Sequence, residues 1–331
     1  MTIKSKIQLP KLARNNNLIK EFVLCDGVGS SGKGMLSHII SSFKRVEIQR
    51  NDYVFDYIPK VFALGKITED AAISIMKTEA DSFLYNNMIS RGINFRPTDS
   101  SSVFTNGGKL KYFKRLSQKE GESAIKRIKK EKPIFSNAPH EALGNCKLFF
   151  DAFGNKIKFI YILRNPIEII FDWINRGFGK RIGQDPREFQ LAFIYKNKPV
   201  PIFAKNFFKK YSNLNEADRN ILMIDYLHRS NLQSYFKLRP KFKKNVKIIL
   251  FDDLVTKSNK VVKILEKFLN TKKTVETSKI LKQENCPRKL NPDLEKMNNF
   301  ILSNSENKKS KETYLKLINY YNKNKKEYLI K

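Results

Sequence analysis

Eight consecutive residues, Gly27-Val28-Gly29-Ser30-Ser31-Gly32-Lys33-Gly34, hold the densest chemistry in the chain. Gly27 to Lys33 fits the spacing G-x-x-x-x-G-K of a loop that cradles phosphate. Its backbone N–H groups turn inward and its lysine reaches the anion. An apolar run, residues 21–26, precedes the loop and predicts a strand; the residues after it predict a helix. The helix N-terminus then adds roughly half a positive charge to the cradle. Gly34 stands where a triphosphate-hydrolysing loop has the Ser or Thr hydroxyl that holds Mg²⁺. The loop therefore points to a phosphate-bearing ligand and away from Mg-dependent triphosphate chemistry.

A second anion grip is suggested far along the chain. Arg164-Asn165-Pro166 follows the apolar run 157–163, and an arginine at a strand end can grip a phosphate by its fork. Two histidines compete as a general base. His38 lies four residues after Gly34, one turn along the same helix face, and an imidazole there suits proton transfer near neutral pH. His140 follows the short strand that ends near Asn137. His228 sits in a helical pattern and reads as structural. The histidines are too scattered for a metal site, and Cys25, Cys146 and Cys286 show no C-x-x-C spacing, so no metal is expected.

The elements that must position these residues alternate. Strands are expected at 21–26, 132–137, 157–163 and 246–251. Helices are expected at 33–44, 67–91, 120–130, 166–176 and 216–238, and from Ser258, read as a helix cap, to Leu269. Asp252-Asp253-Leu254 reads as a scaffold turn. Residues 93–116 read as loops and 177–215 as an irregular basic, aromatic insertion. Such alternation predicts an α/β fold, a three-layer α/β/α with a mostly parallel central sheet. Ligands in such sheets bind beyond the carboxyl ends of the strands, where the glycine loop and Arg164 both fall. Residues 1–18 read as a loose basic arm. Residues 19–290 read as one domain with insertions at about 46–130 and 177–215. Residues 291–331 read as a basic helical extension.

The chain has 331 residues with Lys+Arg 64 against Asp+Glu 32, a formal charge of +32. That field favours anionic ligands without naming one, and much of it is lysine spread evenly along the chain. No apolar stretch approaches a membrane span and Met1 to Asn17 lacks a hydrophobic signal region. With the scattered cysteines, this gives the expectation of a cytoplasmic protein.

In this order, three segments resemble the sulfotransferase family, which moves sulfuryl groups from 3′-phosphoadenosine 5′-phosphosulfate (PAPS). They are the glycine loop with its helix, the strand–Arg164-Asn165-Pro166–helix, and the strand before Asp252-Asp253-Leu254 with the helix ending Phe268-Leu269. The resemblance covers roughly residues 20–45, 130–180 and 245–290. It implies a P-loop fold and PAPS as donor. Gly27, Val28, Gly29, Ser30, Ser31, Gly32, Lys33 and Gly34 would hold the 5′-phosphosulfate, and Arg164 the 3′-phosphate. It also implies His38 as the preferred base, at a helix position where glycan-type members carry a glutamate. His140 is the alternative, three residues beyond Asn137, which replaces the catalytic histidine of cytosolic-type members.

Two positions depart from the family. Asp172 stands where the family has a serine that binds the 3′-phosphate, and a carboxylate there repels a phosphate unless Arg164 or Arg176 neutralises it. The loop lysine is at Lys33 rather than at the position of Ser30. The acceptor, a hydroxyl or amine of a glycan, lipid or small metabolite, would lie between regions 60–115 and 177–215. Two other readings stay open. Gly32-Lys33-Gly34 is similar to the Gly-Lys-Gly-Thr of nucleoside monophosphate kinases, with Met35 at the Thr position, and Mg-dependent ATP binding would mark that class. A non-catalytic binder of nucleic acid or acidic glycan fits the charge but leaves the paired phosphate motifs unused; nucleic acid is not the expected partner.

Overall fold

The computed structural model describes residues 10–49 and 52–330. Strands β1 (Glu21–Asp26), β2 (Ile134–Asn137), β3 (Ile157–Leu163) and β6 (Val246–Leu250) form one parallel sheet in the order β2-β1-β3-β6. Strands β4 (Ala192–Tyr195) and β5 (Lys198–Pro201) form a separate antiparallel hairpin. The alternation of side chains along a strand splits the core in two. Phe22, Leu24, Phe159 and Tyr161 face one side, and Val23, Cys25, Ile160 and Ile162 face the other.

Helices α1 (Lys33–Ser41), α2 (Val54–Ala63), α3 (Glu69–Met88), α4 (Lys109–Leu116), α5 (Glu122–Glu131) and α6 (Cys146–Phe153) belong to the first half of the chain. Helices α7 (Pro166–Asn175), α8 (Phe178–Arg181), α9 (Glu216–Phe236), α10 (Pro240–Lys243) and α11 (Phe251–Thr256) follow. The last four are α12 (Ser258–Leu269), α13 (Val275–Gln283), α14 (Leu294–Asn304) and α15 (Lys308–Lys325). Helices α3 and α6 cover the Phe22 side through Met76, Leu84, Phe149 and Phe153. Helices α1, α12 and α13 cover the Val23 side through Leu36, Ile40, Leu265 and Ile280. The result is the expected α/β/α sandwich. A third core joins α7, α9 and the C-terminal helices through Ile170, Trp173, Ile224, Ile301 and Tyr314.

Several elements differ from the sequence reading. Helix α4 lies inside the stretch expected to be loops. It forms because buried Glu47 accepts from Arg115 at 2.6 Å and from the Tyr112 hydroxyl at 2.9 Å, drawing a lysine-rich segment onto the core. Lys111 and Arg115 outweigh burial and hold the Glu47 carboxyl down at about 2. The expected turn at Asp252-Asp253-Leu254 is the helix α11. Ser258 does not cap α12: the helix begins at Ser258 itself, with Lys257 as its N-cap and the buried Ser258 hydroxyl unpartnered. The hairpin β4–β5 gives order to the stretch read as irregular. Of the expected loose arm, residues 1–9 lie outside the described residues. Residues 12–19 are tied to α3: Leu12 N donates to Asp70 at 2.8 Å, and Leu18 N and Ile19 N donate to Asp81 at 2.8 and 3.0 Å.

The glycine loop packs at Gly32 against Phe251, the first residue of α11. The Gly32 φ is +93°, in the left-handed region, and a Cβ there would sit 2.6 Å from the Phe251 ring. Gly32→Ala is expected to lower stability by about 2–3 kcal/mol through backbone strain and overpacking. A thermal midpoint within about 2 °C of the parent would contradict this account.

Candidate active site

The glycine loop is held from two sides. At its start, the buried Asp26 carboxylate accepts from Gly27 N at 2.7 Å, Glu141 N at 3.1 Å and Leu143 N at 2.6 Å. Burial pushes the Asp26 carboxyl up from its ordinary value, against the pull of Lys33 and these N–H donors. One carboxylate thus ties the loop after β1 to the loop after β2. Ser31 N closes a turn onto Val28 O at 3.0 Å. Gly32 caps α1 with no side-chain acceptor, so the first-turn N–H groups have no capping oxygen of their own.

Helix α7 holds the loop's other edge. Trp173 Nε1 donates to Gly29 O at 3.1 Å and Arg164 Nη1 to Ser30 O at 2.8 Å. Arg164 and the glycine loop, in contact through residues 134 positions apart in sequence, therefore meet directly. Arg164 is also engaged by Glu168, which accepts from Nη2 at 2.7 Å and Nε at 3.2 Å, and its guanidinium stacks 4.1 Å from the Phe251 ring. Three of its five N–H groups are used, leaving two for a ligand. Asp172 accepts from the Ser30 hydroxyl, and Arg176 lies 3.4 Å from the same carboxylate. The carboxylate that looked hostile to phosphate is paired and holds the loop.

Lys33, His38 and His140 line one cavity of about 320 Å³, together with Tyr53, Asp56 and Glu284. Lys33 Nζ donates to Pro139 O at 2.9 Å. Burial lowers its pKa to about 8, against the pull of Asp56 and Asp26. His38 has both ring nitrogens facing acceptors: Nδ1 lies 2.6 Å from Glu284 Oε1 and Nε2 lies 2.8 Å from Ser100 O. In this arrangement neither nitrogen has a lone pair aimed at the cavity. His140 is different. Its backbone N donates to Asp56 Oδ1 at 2.6 Å and its ring Nδ1 lies 3.6 Å from Asp56 Oδ2. Burial, then Lys33, lowers its pKa below the ordinary histidine value and favours the neutral ring, against the pull of Asp56. Burial acts to raise Asp56, but His140, Lys60 and Lys33 outweigh it and hold the carboxyl below its ordinary value. His228 is buried on α9, away from this cavity.

Sequence reasoning missed Asp56, Lys60 and Glu141, which form a buried charge cluster behind His140. Lys60 Nζ lies 3.7 Å from Asp56 and 3.4 Å from Glu141. The available signal was an i,i+4 carboxylate–ammonium pair in the apolar helical window 54–63, at odds with an otherwise buried face. Glu141 carries φ +67°, and burial raises its pKa to about 7 despite Lys60.

No family model matches the chain, and no curated protein matches it. Among solved structures the chain is similar to the sulfotransferase domain from the Synechococcus PCC 7002 olefin synthase. That match has 12% identity, covers 95% of this chain and 98% of that one, and has a TM-score of 0.45. A sulfotransferase domain from the curacin biosynthetic pathway matches at 12% identity, 88% and 100% coverage and a TM-score of 0.42. A sulfotransferase from Alicyclobacillus acidocaldarius matches at 16% identity, 93% and 97% coverage and a TM-score of 0.39. Among the described residues no helix is long and apolar enough to cross a membrane, and no three His, Cys, Asp or Glu side chains group as metal ligands.

The Glu141 environment makes a stability prediction. Its folded pKa of about 7 lies above the ordinary value of 4.5, so its contribution to stability is full below 4.5 and is lost as pH rises from there through 7. Glu141→Gln removes this titration. Denaturant unfolding between pH 5 and 8 is expected to show a flatter pH slope for the variant, by on the order of 2 kcal/mol over that range. Parallel slopes for the two proteins would show that Glu141 ionises normally.

Proposed function

We propose that the chain is a PAPS-dependent sulfotransferase acting on a hydroxyl or amine of a small acceptor, with release of adenosine 3′,5′-bisphosphate. The observation that carries this reading is the contact between Arg164 and the Gly27–Gly34 loop at the carboxyl end of a parallel sheet. It sets a two-part anion grip beside a cavity lined by Lys33 and His140. The loop fits the 5′ side of the donor: α1 is uncapped, and around Gly34 a Cβ would meet nothing within 4 Å. The 3′-phosphate would take the two remaining N–H groups of Arg164 and the half-exposed Arg176. When bound, PAPS supplies the activated sulfuryl group and a phosphate leaving group.

The chain's own residues do the rest. His140 takes the acceptor's proton, because its neutral ring is favoured and partly exposed to the cavity. Asp56 orients the ring and steadies the imidazolium that forms. Lys33 offsets charge on the departing phosphate. His38, the base preferred on sequence grounds, instead fixes the cavity wall by joining α1 to Ser100 and Glu284. We place the protein in the cytoplasm, a reading to which its three buried, unpaired cysteines are suited.

Calorimetry with adenosine 3′,5′-bisphosphate tests the donor site. Binding is expected for the parent, weakened on the order of 10- to 100-fold in Lys33→Ala. Lys33 is cationic below about 8, so affinity is expected to fall as pH rises past that value. No heat at millimolar bisphosphate refutes the assignment. His140→Ala is expected to keep bisphosphate affinity and lose on the order of 10²–10⁴-fold in PAPS turnover against a panel of phenols, alcohols and amines. Equal turnover in that variant would move the base elsewhere.

A further inference from the structure

A second cavity, of about 490 Å³, lies on the outer face of α9, apart from the glycine loop. Its size is within the range of small-molecule sites. Three parts of the chain enclose it: α9, the segment that precedes α9, and the start of α15. Its floor is aromatic. Phe207 and Tyr226 line it while also packing against the third core, which fixes their rings.

The rim is cationic. Arg229 stands one helical turn from Asp225, whose Oδ1 accepts from Nε at 2.7 Å, and its guanidinium lies 4.8 Å from the Tyr320 ring. These contacts hold the guanidinium plane. Both Nη groups are left without an acceptor among the described residues. The ammonium groups of Lys210 and Lys309 likewise have no ion-pair partner among them. Three cations therefore share this rim with one carboxylate, and that carboxylate is already taken by the Nε edge of Arg229. A fixed, half-free fork recognises an oxyanion in two parallel bonds, which a solvated lysine alone does not do.

We infer that this cavity binds a small amphiphile: one carboxylate, sulfonate, sulfate or phosphate head on an aromatic or alkyl body. The head sits on the Nη edge of Arg229 with Lys210 and Lys309 beside it. The body lies on Phe207 and Tyr226. No lining residue belongs to the glycine loop or to the cavity of His140, so the site stands whether or not the chain transfers sulfuryl groups.

Fluorescence titration of the full chain with 1-anilinonaphthalene-8-sulfonate tests this. One saturable site is expected, with at least about tenfold weaker binding of 1-anilinonaphthalene, which lacks the sulfonate. Arg229→Gln is expected to weaken the sulfonate about tenfold. Lys210→Gln, at an exposed position on which the fold does not depend, is expected to weaken it about threefold. Adenosine 3′,5′-bisphosphate at saturation is expected not to displace the probe. Equal affinity for charged and uncharged probes, unchanged affinity in Lys210→Gln, displacement by the bisphosphate, or no saturable binding would each overturn the proposal.

Discussion

A carboxylate buried from the surface holds this architecture's glycine loop in place. Asp26, at the tip of β1, has lost its hydration, and three backbone N–H groups replace it. One comes from the glycine loop and two from the loop that follows β2. Removing the acceptor would leave three buried donors unsatisfied, each costing about 1–3 kcal/mol. This one side chain ties the glycine loop to the loop that carries His140. Asp56 then holds the His140 backbone N–H from the opposite side and places its other carboxylate oxygen 3.6 Å from the ring Nδ1.

Around that knot the chain has arranged alternating charges at low exposure: Asp26, Lys33, Asp56, Lys60 and Glu141. Neighbouring opposite charges partly repay the desolvation of each, which is why the cluster is tolerated. Burial pushes the groups in different directions. Lys33 comes down to about 8 and Glu141 up to about 7, while Asp56 stays ionised. Such divergence marks sites where protons or anions are handled.

The parallel sheet, the glycine loop after β1 and the strand-end arginine after β3 were legible because their signals are local and periodic. An unbroken apolar strand followed by Gly27–Gly34, and another followed by Arg164-Asn165-Pro166, each give type and position together. What was not legible was long-range. Glu47 reads as an ordinary surface glutamate until Arg115 and Tyr112 fold over it, and only then does α4 make sense. The surroundings of His38 and His140 are set by Glu284, Ser100 and Asp56, residues up to 246 positions away, so spacing on one helix could not show them. Asp172 shows the same limit, since its charge is offset by Arg176 and by a hydroxyl from the far side of the sheet loop.

Glu168 gives Arg164 a counter-ion before any ligand arrives. The guanidinium is therefore partly neutralised beforehand, and the local positive charge is smaller than the arginine alone suggests. The local field around Arg164 is accordingly weaker than the chain's large positive charge would imply, and less of it is open to screening by salt.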